Sequence, residues 1–386
     1  MKKLLATSAL VAASLWGTTE AALAQAKVAP ISVVVGGYHE QTFGYAANKN
    51  DVNYSSSIGA PTNKPNRISQ MSDSEIFFGG RTTLANGITV GFDVQLEANT
   101  STDQIDESYL FLDGAFGRVV IGSENAADYI MNYSIPGVGR SYGALESSAT
   151  SWIVRPTNVT ILDTVQSGKA SGGGGTAFPS TGNDQQRLTY FTPRFFGFGG
   201  GLSFTPNVNL EDSNGFADKR DNRANAWHGS INFTNNFSGV QLNASAGMSY
   251  YPKLSNAAAG TVGNESIKDI SAGLQVGFAG FLVGGGYRNM DVKGAAEDGY
   301  AWGVGATWTG GPFSIGANYL TSKVEGLTAT AADDKFRQIM LSAAYTMGPG
   351  VDLIGSVFHI KYTDEGTSSA DKNSGVGAIT GIRLTF

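Results

Sequence analysis

Three histidines, His39, His228 and His359, are the side chains of this sequence best suited to moving protons near neutral pH. They lie far apart, and no Gly-x-Ser-x-Gly elbow accompanies them, so no hydrolase signature is present. The glycine clusters around Gly197 to Gly201 and Gly284 to Gly286 lack the following Lys-Ser or Lys-Thr of a phosphate loop. Acids at Glu211, Asp212, Asp218, Asp221, Asp333, Asp334, Asp364 and Glu365 could meet divalent cations, but a solvated loop explains them, and no metal or cofactor site follows. What remains is charge of both signs. The bases Arg81, Arg187, Arg288, Lys361 and Arg383 and the acids Glu124, Asp128, Glu146 and Asp163 could face each other across a narrow wet gap. Such a gap carries a transverse field that orders water and ions and disfavours apolar solutes. That is the chemistry of selection rather than of catalysis.

Something must hold these charges opposite one another, and the pattern that does so is alternation. Residues 88–97 set Ile88, Val90, Phe92, Val94 and Leu96 against Thr89, Gly91, Asp93, Gln95 and Glu97. Residues 374–386 set Val376, Ala378, Thr380, Ile382, Leu384 and Phe386 against Gly375, Gly377, Ile379, Gly381 and Arg383. A period of two is that of a strand with unlike faces. Sixteen such segments can be counted, and Ala85-Asn86-Gly87, Gly310-Gly311-Pro312 and Gly348-Pro349-Gly350 mark tight turns. Strand parity places Arg81, Arg288, Lys361 and Arg383, with His228 and His359, on the inner face, and Arg187 near the outer mouth.

Composition narrows the class. Lys2 and Lys3, an apolar run over residues 4–16 and small residues at Ala22, Ala24 and Ala26 make a secretory leader, cut after Ala24 or Ala26. Residues 1–26 are therefore leader and 27–386 a single β domain. The formal charge of −6 becomes one unit more negative once Lys2, Lys3 and Glu20 are removed, which leaves nothing suited to nucleic acid. Cysteine is absent, so no disulfide staples the exported chain. With 52 glycines and only 15% charged residues, the chain is glycine-rich and charge-poor, yet no apolar run beyond the leader is long enough for a membrane helix. Alternating strands hide their hydrophobicity from an average, so a mean hydropathy of −0.10 is compatible with a membrane barrel.

Connections alternate between tight Gly, Pro or Asn turns and long polar loops, and aromatics such as Tyr300, Trp302, Trp308, Phe313 and Tyr319 crowd strand ends. A secreted sandwich or surface adhesin is the competing class, but no fixed repeat supports it. The longest connection, residues 124–184, opens on packable side chains (Tyr129, Ile130, Met131, Tyr133, Ile135, Pro136, Val138) and continues through the glycine-rich stretch 172–175.

The terminal Phe386, the long loop and the run Thr189-Tyr190-Phe191-Thr192-Pro193-Arg194-Phe195 resemble the general diffusion porins of Gram-negative outer membranes. The resemblance implies an all-β transmembrane antiparallel barrel of sixteen strands, with the third outer loop folded inward to form an eyelet of loop acids against wall arginines. It implies passive diffusion of small hydrophilic solutes, a homotrimer, and contact with outer-membrane lipid and lipopolysaccharide. No enzymatic role and no cofactor is expected. A substrate-selective channel, for a sugar or an anion such as phosphate, is the alternative. The two-sided apolar first strand and the run over 119–121 are candidate subunit contacts.

Overall fold

The computed structural model describes residues 30–49, 66–99, 104–138, 152–156, 158–159, 184–208, 224–253, 266–292, 298–325, 333–364 and 371–386. The expected leader, with both cleavage points, lies outside the described residues, as do Glu146 and Asp163.

Alternation becomes pairing along the whole chain. The strands are β1 (Ser32–Asn48), β2 (Ile68–Thr83), β3 (Thr89–Glu97), β4 (Ile105–Gly114), β5 (Gly117–Glu124), β6 (Gln185–Phe191), β7 (Phe198–Asn207) and β8 (Ala224–Phe237). They continue with β9 (Val240–Tyr251), β10 (Ile267–Phe278), β11 (Phe281–Val292), β12 (Gly299–Gly310), β13 (Phe313–Val324), β14 (Asp334–Gly348), β15 (Val351–Thr363) and β16 (Lys372–Thr385). One short helix, α1 (Ala127–Ile130), follows β5. Each strand pairs antiparallel with its neighbours in sequence, and β1 pairs with β16 to close the barrel. The C-terminal residue completes that seam. Gly37 N–H donates to the Phe386 carbonyl at 3.0 Å, and Phe386 N–H returns to the Gly37 carbonyl at 3.1 Å. A closed sheet leaves no ladder edge open to hydrocarbon, which is what allows strands to cross a membrane.

The tight turns gather at one end and the long loops at the other. At Gly87 the turn needs a positive φ of 83°, and Asn86 Oδ1 accepts the Ile88 N–H at 3.1 Å. Outward rows carry the exposed apolar side chains, among them Leu110, Ile121, Val283, Val304, Ile315, Leu341, Val357, Val376 and Leu384. Aromatics ring both ends of this band. Phe281, Phe313 and Tyr345 lie toward the tight turns and Trp227, Tyr250, Tyr287, Tyr300 and Trp302 toward the loops, all of them exposed.

Two expectations from parity need correction. Lys361 and His359 lie on the outward row of β15, in register with outward Arg337 and Ile339 of β14. The inward row of that strand is Ile354, Ser356, Phe358, Ile360 and Tyr362. Most of it is apolar because loop residues Trp152, Ile153 and Val159 pack on it together with Leu320, Phe336 and Met340. A wall that is dry on both sides has no polar face by which to orient it. Secondly, Val120 points inward, buried with Phe111, Met131 and Phe191, so only its neighbours Val119 and Ile121 remain on the outer face.

Candidate pore constriction

The chain leaving β5 turns into the barrel and runs across its inner wall. Small wall residues both make room for it and hold it. Ala127 N–H donates to Ser203 Oγ at 2.9 Å on β7, and Asn232 Nδ2 on β8 donates to the Met131 carbonyl at 3.0 Å. Tyr133 N–H meets Ser245 Oγ on β9 at 2.8 Å, and Gln275 Nε2 on β10 meets the Ser134 carbonyl at 2.8 Å. Ile135 then lies against Gly303 and Gly305 of β12, and Val138 against Gly316 of β13. A Cβ at Gly273 would overlap the Tyr133 carbonyl, so the loop needs bare backbone there. Farther along, Val154 N–H donates to Asn48 Oδ1 at 2.8 Å and Asn373 Nδ2 to the Val154 carbonyl at 2.7 Å, tying the loop to β1 and β16. The described parts of the loop thus lie over β7–β10, β12–β13 and β15–β1, while the inner face of β2–β5 meets only the loop's root.

Three of the charges singled out by sequence meet at that root. Asp128, on α1, is buried over Gly247 and accepts a hydrogen bond from Ser249. Its Oδ1 lies 3.7 Å from His228 Nδ1. Arg187 is buried beside it, donating from Nε to the Gln185 carbonyl at 2.9 Å, with Asp128, Asp184 and Glu124 close enough to act on its charge. Burial pushes the Asp128 carboxyl up to about 6. The Ser249 hydrogen bond and Arg187 oppose that rise, and Asp269 adds to it. Glu124 Oε1 accepts the Asn125 N–H at 2.8 Å, and Asn125 Nδ2 reaches Glu107 Oε1 at 2.7 Å. These residues fasten the loop to the wall.

The remaining bases are spread around the barrel. Arg288 is fully buried and grips Asp269 through Nε at 2.9 and 3.1 Å and Nη2 at 2.8 Å. Arg383 lies inward, its guanidinium 5.6 Å from the Tyr38 ring centre and near Glu40. Arg81 stays exposed toward the tight-turn end. The set is not one facing row of bases.

Sequence reasoning missed the most charged surface of the interior. Glu40, Asp73, Glu75, Asp93, Glu97 and Glu107 lie on the inward rows of β1–β4. Tyr38 Oη donates to Glu75 Oε1 at 2.6 Å and is 2.9 Å from Asp73 Oδ1, and Gln95 Nε2 donates to Glu107. Glu75, Glu97 and Asp106 bring carboxylate oxygens within 4.8 Å of one another. The alternation of Asp93, Gln95 and Glu97 was the available signal.

His228 is buried between Thr205 Oγ1 at 3.3 Å from Nε2 and Ser249 Oγ at 2.7 Å from Nδ1. A Ser-His-Asp relay needs serine and aspartate on opposite ring nitrogens. Here Ser249 and Asp128 share the Nδ1 side, so the trio is a structural clasp.

The Gram-negative porin family profile matches residues 6–365. This chain belongs to the Gram-negative porin family. Among curated protein sequences none matches. Among solved structures, an anion-selective porin from Comamonas acidovorans shares 17% identity, covers 92% of this chain and 100% of its own, and superposes with a TM-score of 0.62. Salmonella typhi OmpF in complex with daunomycin gives 12% identity, 92% and 97% coverage and a TM-score of 0.60. The in-vitro folded trimer form of Vibrio cholerae OmpT gives 12%, 92%, 100% and 0.54. At these identities the likeness is one of fold. The porin is an outer-membrane channel.

Proposed function

We propose that this porin is a passive diffusion channel for small hydrophilic solutes and ions, narrowed by the loop after β5 and tilted toward cations. The observation that carries the reading is the loop's path, hydrogen-bonded across β7–β10, with only the loop's root among the described residues meeting the acidic face of β2–β4, at Glu107. Acids on that face outnumber the nearby Arg383 and Arg81, and a low-dielectric wall focuses their field into the lumen. Glu124, Asp128 and Arg187 set the aperture indirectly, by fixing the loop's root.

Swelling of liposomes containing the porin in graded sugars tests this. Rates that fall smoothly with solute size support it, and no swelling contradicts it. Strong preference for one sugar or anion moves the protein to the substrate-selective reading.

Residues 31–36, ahead of the Gly37–Phe386 contact, have no partner in β16, and Ile31, Val33, Val34 and Val35 there are exposed. Such an unpaired apolar edge supports a homotrimer in which a neighbouring subunit covers it. The leader would direct export and be removed in its course, after Ala24 or Ala26. On the outer face Lys323, Lys335, Arg337, Lys361 and Lys372 end the apolar rows of β13–β16 at the loop end, where phosphates of lipid or lipopolysaccharide would meet them.

A further inference from the structure

Between the loop root and the inner wall of β5–β8 lies a cavity of about 150 Å³ that the diffusion path does not require. Cavities of about this size admit a benzene ring. Its apolar side is made by Met131 and Ile130 of the loop and by Phe191 of β6. The opposite side is bare backbone at Gly199 and Gly200 of β7, and Gly199 shares the inward row with Asn232 of β8, so a side chain there would intrude. Two guanidinium groups close it, Arg118 at the start of β5 and Arg194 in the turn after β6.

The two cations are not equally occupied. Arg118 stacks over Phe111, Cζ to ring centre 4.3 Å, and its Nη1 stands 3.6 Å from Asp113 Oδ2, beyond hydrogen-bond length. Its planar fork therefore retains donors for an incoming acceptor. Arg194 is aimed by two bonds, Nη1 to the Gly197 carbonyl and Nη2 to Asn232 Oδ1, each 2.9 Å. One acid, Glu124, shares the lining, and its Oε1 is engaged by the Asn125 N–H. Among the lining side chains two cations stand against one carboxylate, with Asp113 beside Arg118 outside the lining, so the unbonded Arg118 donors favour an anion and the flat apolar walls favour a ring behind it.

We propose that this cavity docks a small organic anion with a compact apolar body, of the aromatic monocarboxylate class, its carboxylate between Arg118 and Arg194 and its ring against Met131 and Phe191. Asn232 joins Arg194 to the loop, since its Nδ2 donates to the Met131 carbonyl while its Oδ1 accepts from Arg194. Occupancy therefore bears on the loop that narrows the pore. The proposal rests on the channel reading only in needing a wet lumen from which the anion enters.

The test uses the full-length mature barrel folded in detergent, its folding verified by heat-modifiable migration, with benzoate as probe. Saturation-transfer NMR is expected to show benzoate bound, with acetate and benzyl alcohol each weaker by about tenfold, as loss of either the apolar or the charged part predicts. Arg194→Gln should weaken benzoate by about tenfold, the value of a charge-assisted bond. Gly199→Leu, on the inward row of β7 beside Asn232, puts a side chain into the cavity and should abolish the signal. The nearest atoms that a Cβ at Gly199 meets are side-chain ends, Asn232 Oδ1 at 3.3 Å and Arg194 Cζ at 3.6 Å, so the barrel backbone has room for this variant. Benzoate binding no tighter than benzyl alcohol, or binding that neither variant alters, overturns the proposal. Because binding is read at equilibrium, a barrel that binds benzoate without conducting strikes the channel reading, and one that conducts without binding strikes this inference alone.

Discussion

The interior of this barrel has two unlike walls. On β2–β4 the inward row presents Asp73, Glu75, Asp93, Glu97 and Glu107, of which Glu75, Asp93 and Glu107 are buried, and the described loop residues that meet that face are those of the loop's root. On β13–β16 it presents Leu320, Phe336, Met340, Ile354, Phe358, Ile360 and Ile379, sealed beneath Ile135, Trp152, Ile153 and Val159. Both rows face the barrel axis. Whether an inward side chain is polar is thus decided by what lies over it, and only an uncovered wall must be hydrophilic. The described loop residues pack on one side of the lumen, and the proposed conducting side is the other.

The greatest effects are expected where the dry seam is opened. Phe358→Ala removes a buried ring between β15 and the loop, and should cost about 3–5 kcal/mol, read as a lower temperature for loss of the heat-modifiable form. Glu97→Gln on the other wall should leave that temperature unchanged. If both variants behave alike, the division into two walls fails.

Seating of the loop comes next. Val138 occupies the space a side chain at Gly316 would need. Gly316→Leu should therefore displace the loop, raising single-channel conductance and noise while the barrel still folds. Unaltered conductance would show that this segment does not bound the pore.

A smaller effect follows from Asp128, packed against His228 of β8, Ser249 of β9, Arg187 of β6 and the nearby Asp269 of β10. Its folded pKa of about 6 lies above the ordinary aspartate value of about 4. The seat is therefore firmest with the carboxyl protonated, fully so below about pH 4, and loosens as pH rises through about 6. Current fluctuations should increase between those limits, and Asp128→Asn should remove the dependence. Fluctuations that decrease over the same interval would reverse the sign of the argument.

These differences mark what could be read from sequence. All sixteen strands were legible because alternation and turn chemistry are local, as at Asn86-Gly87 and in the row from Val90 to Leu96. Their loop-side ends were read short. Residues 69, 70, 72 and 73 of β2 put polar side chains on both faces, and the inward row of β13–β15 sets Leu320, Phe336, Met340 and Phe358 among its polar residues, so alternation loses contrast in both places. The same loss put Lys361 on the wrong face. Glu124, Asp128 and Arg187 stand out in the sequence as charge in a long loop or beside it, and the fold places them buried at the loop's root. Their partners Ser203, Ser245 and Ser249 were invisible, being small residues that only the fold brings to the loop.

The smallest expected change is in selectivity. Asp73→Asn combined with Glu97→Gln should lower the cation-to-anion permeability ratio by roughly twofold, with conductance at high salt little altered. Lys361→Ala, on the outer face, should leave that ratio unchanged.

The most direct test of the two-walled pore is the reversal potential of single channels in a planar bilayer under a potassium chloride gradient. An acidic conducting wall predicts ohmic steps whose reversal potential has the sign of cation preference and shrinks toward zero in the Asp73→Asn, Glu97→Gln pair. A reversal potential of anion sign, or one indifferent to those substitutions, would contradict it.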